Sequence, residues 1–340
     1  MLWLKPFELQ LDAVFEEAKQ KVAHFPKPLH ELGLAYLDKF DIRQKHSTKN
    51  YVCYLLPFWI AETIQVHTAK AVSHPSSATV SSLHLQSLPE LSHRMGVANI
   101  FCMLHFFIQD DLMDTPNLST DQLHDLIPLS QLFWNEFVSI CGENLGNNSS
   151  FWQYYKQFLA EWASAVYNEA DADYLFEQPQ QIASKVSPLK ISLIAMLLQL
   201  DCMYMLPDLL QQLDQALIVL QMNDDLSDWQ EDMIERNYNC LLAFIRYEAV
   251  EHHQALFSDK VTAVQVQQAI YDQEVIRRYA QYAQSSFTSD PSLFVSDSLI
   301  AFRNYLIEQL HEAATSIHEA RNTLLQGSLL YFIQKDLTSS

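Results

Sequence analysis

An all-helical protein, folded as one domain around a central apolar pocket, is what this sequence predicts. Three observations predict it. Apolar residues recur at helical spacing along nearly the whole chain. No run alternates apolar and polar residues between Asn-Gly or Asp-Gly hairpin turns. Of the 340 residues 49% are hydrophobic, enough for a substantial core, and neither a repeat of fixed period nor a linker divides the chain.

The elements follow in order. Phe7, Leu11, Val14 and Phe15 mark one face of an opening helix. Residues 52–71 read as a second helix, followed by a polar Ser/His/Pro loop at 73–80. Residues 84–114 form a long apolar helical stretch that ends in an acidic cluster. Ser119, three residues before Gln122, has capping-box spacing and opens a segment running to about residue 141, which Pro128 is expected to kink or split. GENLGNNSS, residues 142–150, reads as a loop. Further helical patterns cover roughly 151–170, 182–204, 207–235, 239–256, 262–286 and 292–334.

Composition excludes several classes of function. A net charge of −20 and a pI near 4.9 argue against nucleic acid or an anionic membrane surface as a partner. The same charge suits an anionic substrate only if metal ions mediate. The five glycines form neither a Walker loop nor a dinucleotide fingerprint, so any phosphate must be held by metal and side chains. The five cysteines are scattered within apolar runs, without a CxxC pair, and read as buried free thiols of a reducing compartment. The first twenty residues lack the charged start and apolar core of a signal peptide. The longest apolar stretches, 97–108 and 191–200, are shorter than a membrane span. The expectation is a cytoplasmic protein with no stable membrane insertion. Thirteen histidines show no HExxH-like spacing, which argues against zinc.

Two acidic clusters carry the functional signal. FFIQDDLMDT contains Asp110, Asp111 and Asp114; LQMNDDLSDWQED contains Asp224, Asp225 and Asp228. Each follows an apolar segment, and each sets carboxylates on one helical face. One such match alone is adequately explained as a solvated helix end. Like charges this close repel, and a divalent cation between them removes the penalty. The second cluster also carries Asn223, Ser227 and Glu231 at i, i+4 and i+8, an amide oxygen, a hydroxyl and a carboxylate along one stripe. All are hard oxygen ligands suited to Mg²⁺.

DDLMD together with NDDLSDWQE resembles the class I isoprenoid synthase superfamily, which comprises prenyl diphosphate synthases and class I terpene synthases. The resemblance is carried by residues 97–116 and 185–240. It implies an all-helical fold with two metal-binding motifs facing each other at the mouth of an apolar cavity. It implies Mg²⁺ as cofactor, three ions in all, with Mn²⁺ as a substitute. Asp110 and Asp114 would ligate two ions, with Asp111 contributing to catalysis from behind them. Asn223, Ser227 and Glu231 would hold the third on the terpene-synthase pattern, Asp224 and Asp228 on the prenyl-synthase pattern; the Asn/Ser/Glu stripe is the preferred set.

Chain elongation needs a second diphosphate site, which in the elongating branch resembles a Gly-Gly-Lys-x-Arg stretch and an arginine pair after the first motif. Here TPNLSTDQLHDLIPL follows Asp114 with no lysine or arginine, and HSTKNYVCYLLPFW, residues 46–59, offers only Lys49, without the glycines or the arginine. A second diphosphate without cations would be electrostatically costly. The sequence therefore implies a terpene synthase acting on one prenyl diphosphate, farnesyl or geranylgeranyl, with geranyl also open. A short-chain prenyl diphosphate synthase is the alternative, and a non-catalytic helical subunit a further one. The implied fold commonly pairs as homodimers. Candidate diphosphate contacts are Lys190, Lys185 and Arg236. Arg303 with Tyr305 resembles a late Arg-Tyr pair of terpene synthases, with Arg278-Tyr279 as the other candidate. Lys190, Arg303 and Tyr305 join Asp110 and Asp111 as catalytic candidates. Phe106, Phe107, His105 and Trp229 are the expected pocket residues; Phe106 and His105 lie about one helical turn before Asp110.

Overall fold

A computed structural model of the chain describes residues 4–44, 51–72, 82–115, 117–167, 174–251, 261–288 and 293–337. The expected loop at 73–80 and Lys49 lie outside them. Of the described residues 85% are helical, and no strand occurs among them. In chain order the helices are α1 (Glu8–Val22), α2 (Leu29–Lys39), α3 (Val52–Val72), α4 (Ser82–Asp114), α5 (Thr120–Leu145), α6 (Ser149–Tyr167) and α7 (Tyr174–Glu177). Then come α8 (Pro179–Ser184), α9 (Lys190–Gln199), α10 (Leu206–Glu235), α11 (Cys240–Glu251), α12 (Ala263–Asp272), α13 (Val275–Ser286) and α14 (Asp297–Leu337). Two compact units result: Met1–Ala163 with Val186–Gln212 and Ser292–Leu299, and Ser164–Lys185 with Leu213–Pro291 and Ile300–Ser340.

The first unit is built on α4, which packs against α1, α3, α5 and α9. Its side chains from Val97 to Leu104 are all buried, and Asn99 donates to Ser192 Oγ of α9 at 3.0 Å, so its one deeply placed amide is satisfied. The expectation that its apolar stretch is too short for a membrane span needs correction. Gln86–Asp114 is long and apolar enough to cross one by length and composition. Its most apolar window is 78% buried within the protein, which is the pattern of a core helix. Helix α1 opens with Glu8, closes with Lys19 and Lys21, and buries Leu11, Val14, Phe15, Ala18 and Val22 along one face. The four residues expected to mark the opening face are all buried.

Ser119 caps α5 with the full reciprocal box, its Oγ accepting from Gln122 N and the Gln122 side chain accepting from Ser119 N at 2.9 Å. The helix continues past Pro128, so the expected split does not occur. It also continues through Gly142 to Leu145, which shortens the expected loop to the turn at 146–148. One glycine costs a helix only about 1 kcal/mol, and buried Ile140, Cys141 and Leu145 outweigh it. The stop comes at Gly146, whose φ of 53° ends helical geometry.

Helix α2 has no counterpart in the sequence reading. It is short, and Gly33 interrupts its apolar pattern. Gly33 is there for contact: a Cβ would sit 2.7 Å from Val22 Cγ1 of α1 and 3.2 Å from Leu129 Cδ1 of α5. The 182–204 pattern also resolves into pieces, α8, a 3-10 turn at Ser187–Leu189, α9 and a 3-10 turn at Met203–Met205, because Pro188 cannot continue a helix. The five cysteines are free and buried, in line with the reading from their positions.

In the second unit α11 packs against α7, α12 and α13. An aromatic layer holds these together: Phe176 stacks on Tyr247 at 4.1 Å and meets Tyr282 at 5.3 Å, and Phe244 meets Tyr279 edge-on at 5.3 Å. The expected continuous helix at 262–286 breaks at Glu274, which adopts a left-handed φ of 55° and separates α12 from α13.

Gly33→Ala tests the packing of α2. Overpacking against the stiff Val22 side chain costs about 1–3 kcal/mol, partly offset by roughly 1 kcal/mol of better helix preference. Thermal unfolding should show a lower midpoint; a higher one would contradict the close approach.

Candidate metal centre

The second acidic segment lies in α10, within the second unit. Residues at i, i+3 and i+7 share one helical face, and here they are Asp225, Asp228 and Asp232. Their carboxylates supply one oxygen each, all within 4.8 Å of one another. Asp225 is fully buried. Its Oδ1 accepts from Gln221 Nε2 at 2.6 Å and its Oδ2 accepts from the Cys240 backbone N–H at the start of α11. Asn239, just before α11, donates its side-chain N–H to the Asp225 carbonyl and to Asp232 Oδ2, each at 2.8 Å, while its Oδ1 accepts from Leu242 N at 3.0 Å. One residue therefore caps α11 and ties it to the acidic stripe. Asp228 Oδ1 is buried and has no hydrogen-bond partner.

This crowding is legible in the proton affinities. Burial raises Asp225 to about 6, against the lowering effect of the Cys240 and Gln221 hydrogen bonds and the charge of Lys185. Asp228 is pushed up to about 7, by desolvation first and then by the charges of Asp232, Asp225 and Asp224. Asp224 is likewise raised to about 7 by desolvation and by Asp225. Its side chain is exposed, so water screens much of that effect, and the buried stripe is where the repulsion is felt. Three carboxylate oxygens, one of them buried and unpartnered, make a group that could hold a metal ion.

The set gathered here overlaps the sequence-derived ones only at Asp228. Asn223 Nδ2 donates to Val219 O at 2.8 Å and to Leu306 O of α14 at 3.1 Å. Ser227 Oγ donates to Asn223 O at 3.3 Å, and Glu231 is exposed. Asp225 and Asp232 were missed as ligands because motif spacing was counted from Asn223 and Asp224. Counting the i, i+3, i+7 face from Asp225 finds them.

The first cluster ends α4 in the first unit. Asp110 is half-buried and Asp114 exposed. Asp111 Oδ2 accepts from Tyr36 Oη at 2.7 Å and lies 3.6 Å from Lys39 Nζ. Both partners come from α2. The Tyr36 hydroxyl is held strongly protonated by burial and by its bond to Asp111.

One turn earlier, His105 contacts Trp134 at 4.6 Å between ring centroids, and Phe106 meets Trp162 edge-on at 4.8 Å. Burial lowers the His105 pKa, and its Nδ1 lies 2.8 Å from Ser130 Oγ. Phe107 stacks on Phe40 at 4.4 Å, and Trp229 is buried in the second unit.

The candidate cations are dispersed. Lys190 opens α9 and is buried rather than at the surface, with its ammonium 5.8 Å from the Phe158 ring centroid. Lys185 lies half-buried where its charge reaches Asp225. Arg236 is exposed and takes a left-handed φ of 68°, which closes α10. Arg303 is buried and donates to Gln215 at 2.5 Å; Tyr305 is half-buried beside it in α14. Arg278 is committed to a two-pronged pair with Glu248, and Tyr279 is buried with its hydroxyl donating to Met222 O at 3.3 Å.

Comparison with protein families, with curated proteins and with solved structures finds no match to this chain.

The stripe gives a pH prediction. The folded state raises the Asp225 and Asp228 affinities above the ordinary carboxylate value, so between about pH 4 and pH 7 it binds more protons than the unfolded chain. Their repulsion is fully present above about pH 7 and is relieved as pH falls. Asp228→Asn should therefore raise the unfolding midpoint at pH 8 and change it little at pH 4. Millimolar Mg²⁺ should raise the wild-type midpoint at pH 8 and much less at pH 5. Equal midpoints for variant and wild type at pH 8 would show that the carboxylates do not repel.

Proposed function

We propose that this protein is a Mg²⁺-dependent class I terpene synthase that ionises a linear prenyl diphosphate, farnesyl or geranylgeranyl, and releases a terpene hydrocarbon or alcohol with diphosphate. The observation that carries the reading is the acidic face of α10, a stripe of carboxylates with one buried oxygen unpartnered. It lies within a segment whose sequence, with DDLMD at the end of α4, resembles the paired motifs of that superfamily.

In this reading Asp225, Asp228 and Asp232, with Asn223, Ser227 and Glu231 on the adjoining face, hold one group of ions, and Asp110 and Asp114 another. Bound Mg²⁺ would neutralise the diphosphate so that it can leave. The remaining work falls to the chain. Lys190 and Arg303 are the buried cations that this reading assigns to the diphosphate, each in its own unit. Phe106, Trp134 and Trp162 present edges and faces of aromatic rings, which exclude water and stabilise an allylic cation through their quadrupoles. His105, held neutral by burial, adds no competing charge there.

The decisive assay is gas chromatography of products from purified protein given geranyl, farnesyl or geranylgeranyl diphosphate, with and without Mg²⁺. A Mg²⁺-dependent terpene is expected. Asp110→Ala and Asn223→Ala should each lower turnover by about 100-fold or more, and Asp121→Ala, outside both motifs, should leave it intact. A longer prenyl diphosphate formed with isopentenyl diphosphate would identify an elongating enzyme instead. No product under any condition would leave a non-catalytic helical subunit.

A further inference from the structure

We propose that Lys39 is the diphosphate-contacting cation of the first acidic cluster, paired with Asp111 while no divalent ion is bound and turned to the anion when one is. The inference rests on the function proposed above and adds a residue that motif spacing does not reach.

The sequence leaves a gap in charge. From Thr115 to Tyr155 it contains no lysine or arginine, so the chain that follows the acidic end of α4 brings no cation to it. Helix α2 brings one. Lys39 Nζ lies 3.6 Å from Asp111 Oδ2, and its side chain remains 57% exposed. The ammonium is 4.9 Å from the Phe40 ring centroid and 5.5 Å from that of Tyr36. The same carboxylate oxygen accepts a 2.7 Å bond from Tyr36 Oη, and the Tyr36 ring is packed against Phe40 and Phe133.

Asp111 thus has two unlike partners on one oxygen. Tyr36 is neutral, short-bonded and fixed by its neighbours. Lys39 is charged, more distant and carried on a flexible four-carbon stem. A divalent ion approaching Asp111 repels Lys39 and leaves Tyr36 in place to hold the carboxylate's orientation. The displaced ammonium then stands beside an ion-bound anion, where its charge is attractive. The bland account is a lysine in the last turn of a helix, favoured by the helix dipole and paired weakly at the surface.

The two accounts part on a sign. Binding of Mn²⁺ to the full chain is followed by electron paramagnetic resonance, first alone and then with inorganic pyrophosphate. Lys39→Gln should tighten Mn²⁺ binding roughly threefold in the absence of pyrophosphate, because a competing positive charge is gone. It should weaken pyrophosphate retention by roughly tenfold in the presence of Mn²⁺, because a charge-assisted contact is gone. Lys39→Arg should restore pyrophosphate retention, and Tyr36→Phe should weaken Mn²⁺ binding in both conditions. If Lys39→Gln matches the parent in both titrations, or shifts both the same way, the proposal is overturned while the function proposed above stands. A wild-type chain that binds no Mn²⁺ overturns both.

Discussion

Repulsion among carboxylates on one face of α10 is the constraint around which the second unit is organised. A helix cannot move Asp225, Asp228 and Asp232 apart, since its geometry fixes their spacing. The fold meets that cost from the other side. The backbone N–H of Cys240 and the side chain of Asn239 both point at the stripe, and both belong to the start of α11, where the helix dipole presents its positive end. Lys185 adds a charge of the same helpful sign. The compensation is incomplete: Asp228 Oδ1 stays buried without a donor, and its proton affinity remains high.

The first unit handles its acidic residues differently. At the end of α4 the carboxylates run from half-buried Asp110 to exposed Asp114, so hydration carries part of their cost, and Asp111 is held by Tyr36 and Lys39. Both come from α2, held against α1 and α5 by the close approach at Gly33. A small residue at one helix crossing thus determines where a tyrosine hydroxyl and a lysine ammonium meet the acidic cluster. Packing and local electrostatics are linked through a position that carries no side chain.

How much of this was legible in the sequence depends on the length of the signal. The long apolar periodicity of α4 and α10 and the Ser119/Gln122 capping box are strong local patterns, and the structure has them where they were read. Misreadings cluster where a local breaker met tertiary support. Pro128 and Gly142 both sit inside α5, whose apolar face is buried well enough to override them. Glu274 is the converse case, a non-glycine residue in a left-handed conformation with no sequence cue to a break. Helix α2 was missed because eleven residues with a central glycine give too few periods to register. In the candidate site, the positions of the carboxylates were legible but their grouping was not. Motif spacing selected Asn223, Ser227 and Glu231, whereas burial and the approach of α11 select Asp225 and Asp232.

Helix α4 ties these strands together, because one element serves as the spine of a core and as the carrier of an acidic terminus. Its buried run from Val97 to Leu104 gives it a length and hydropathy that match a membrane span, yet its window is mostly covered by protein. The polar groups within it are few and satisfied, as with Asn99 on Ser192 and Gln109 donating to Ser130 Oγ at 2.9 Å. Towards its end the environment changes residue by residue, from buried Phe106 through half-buried Asp110 to exposed Asp114. A carboxylate one turn earlier would lie among Phe106, Trp134 and Trp162 and would be costly to ionise. Charges at the end of such a helix are therefore held by the core beneath them while the last of them, Asp114, faces solvent.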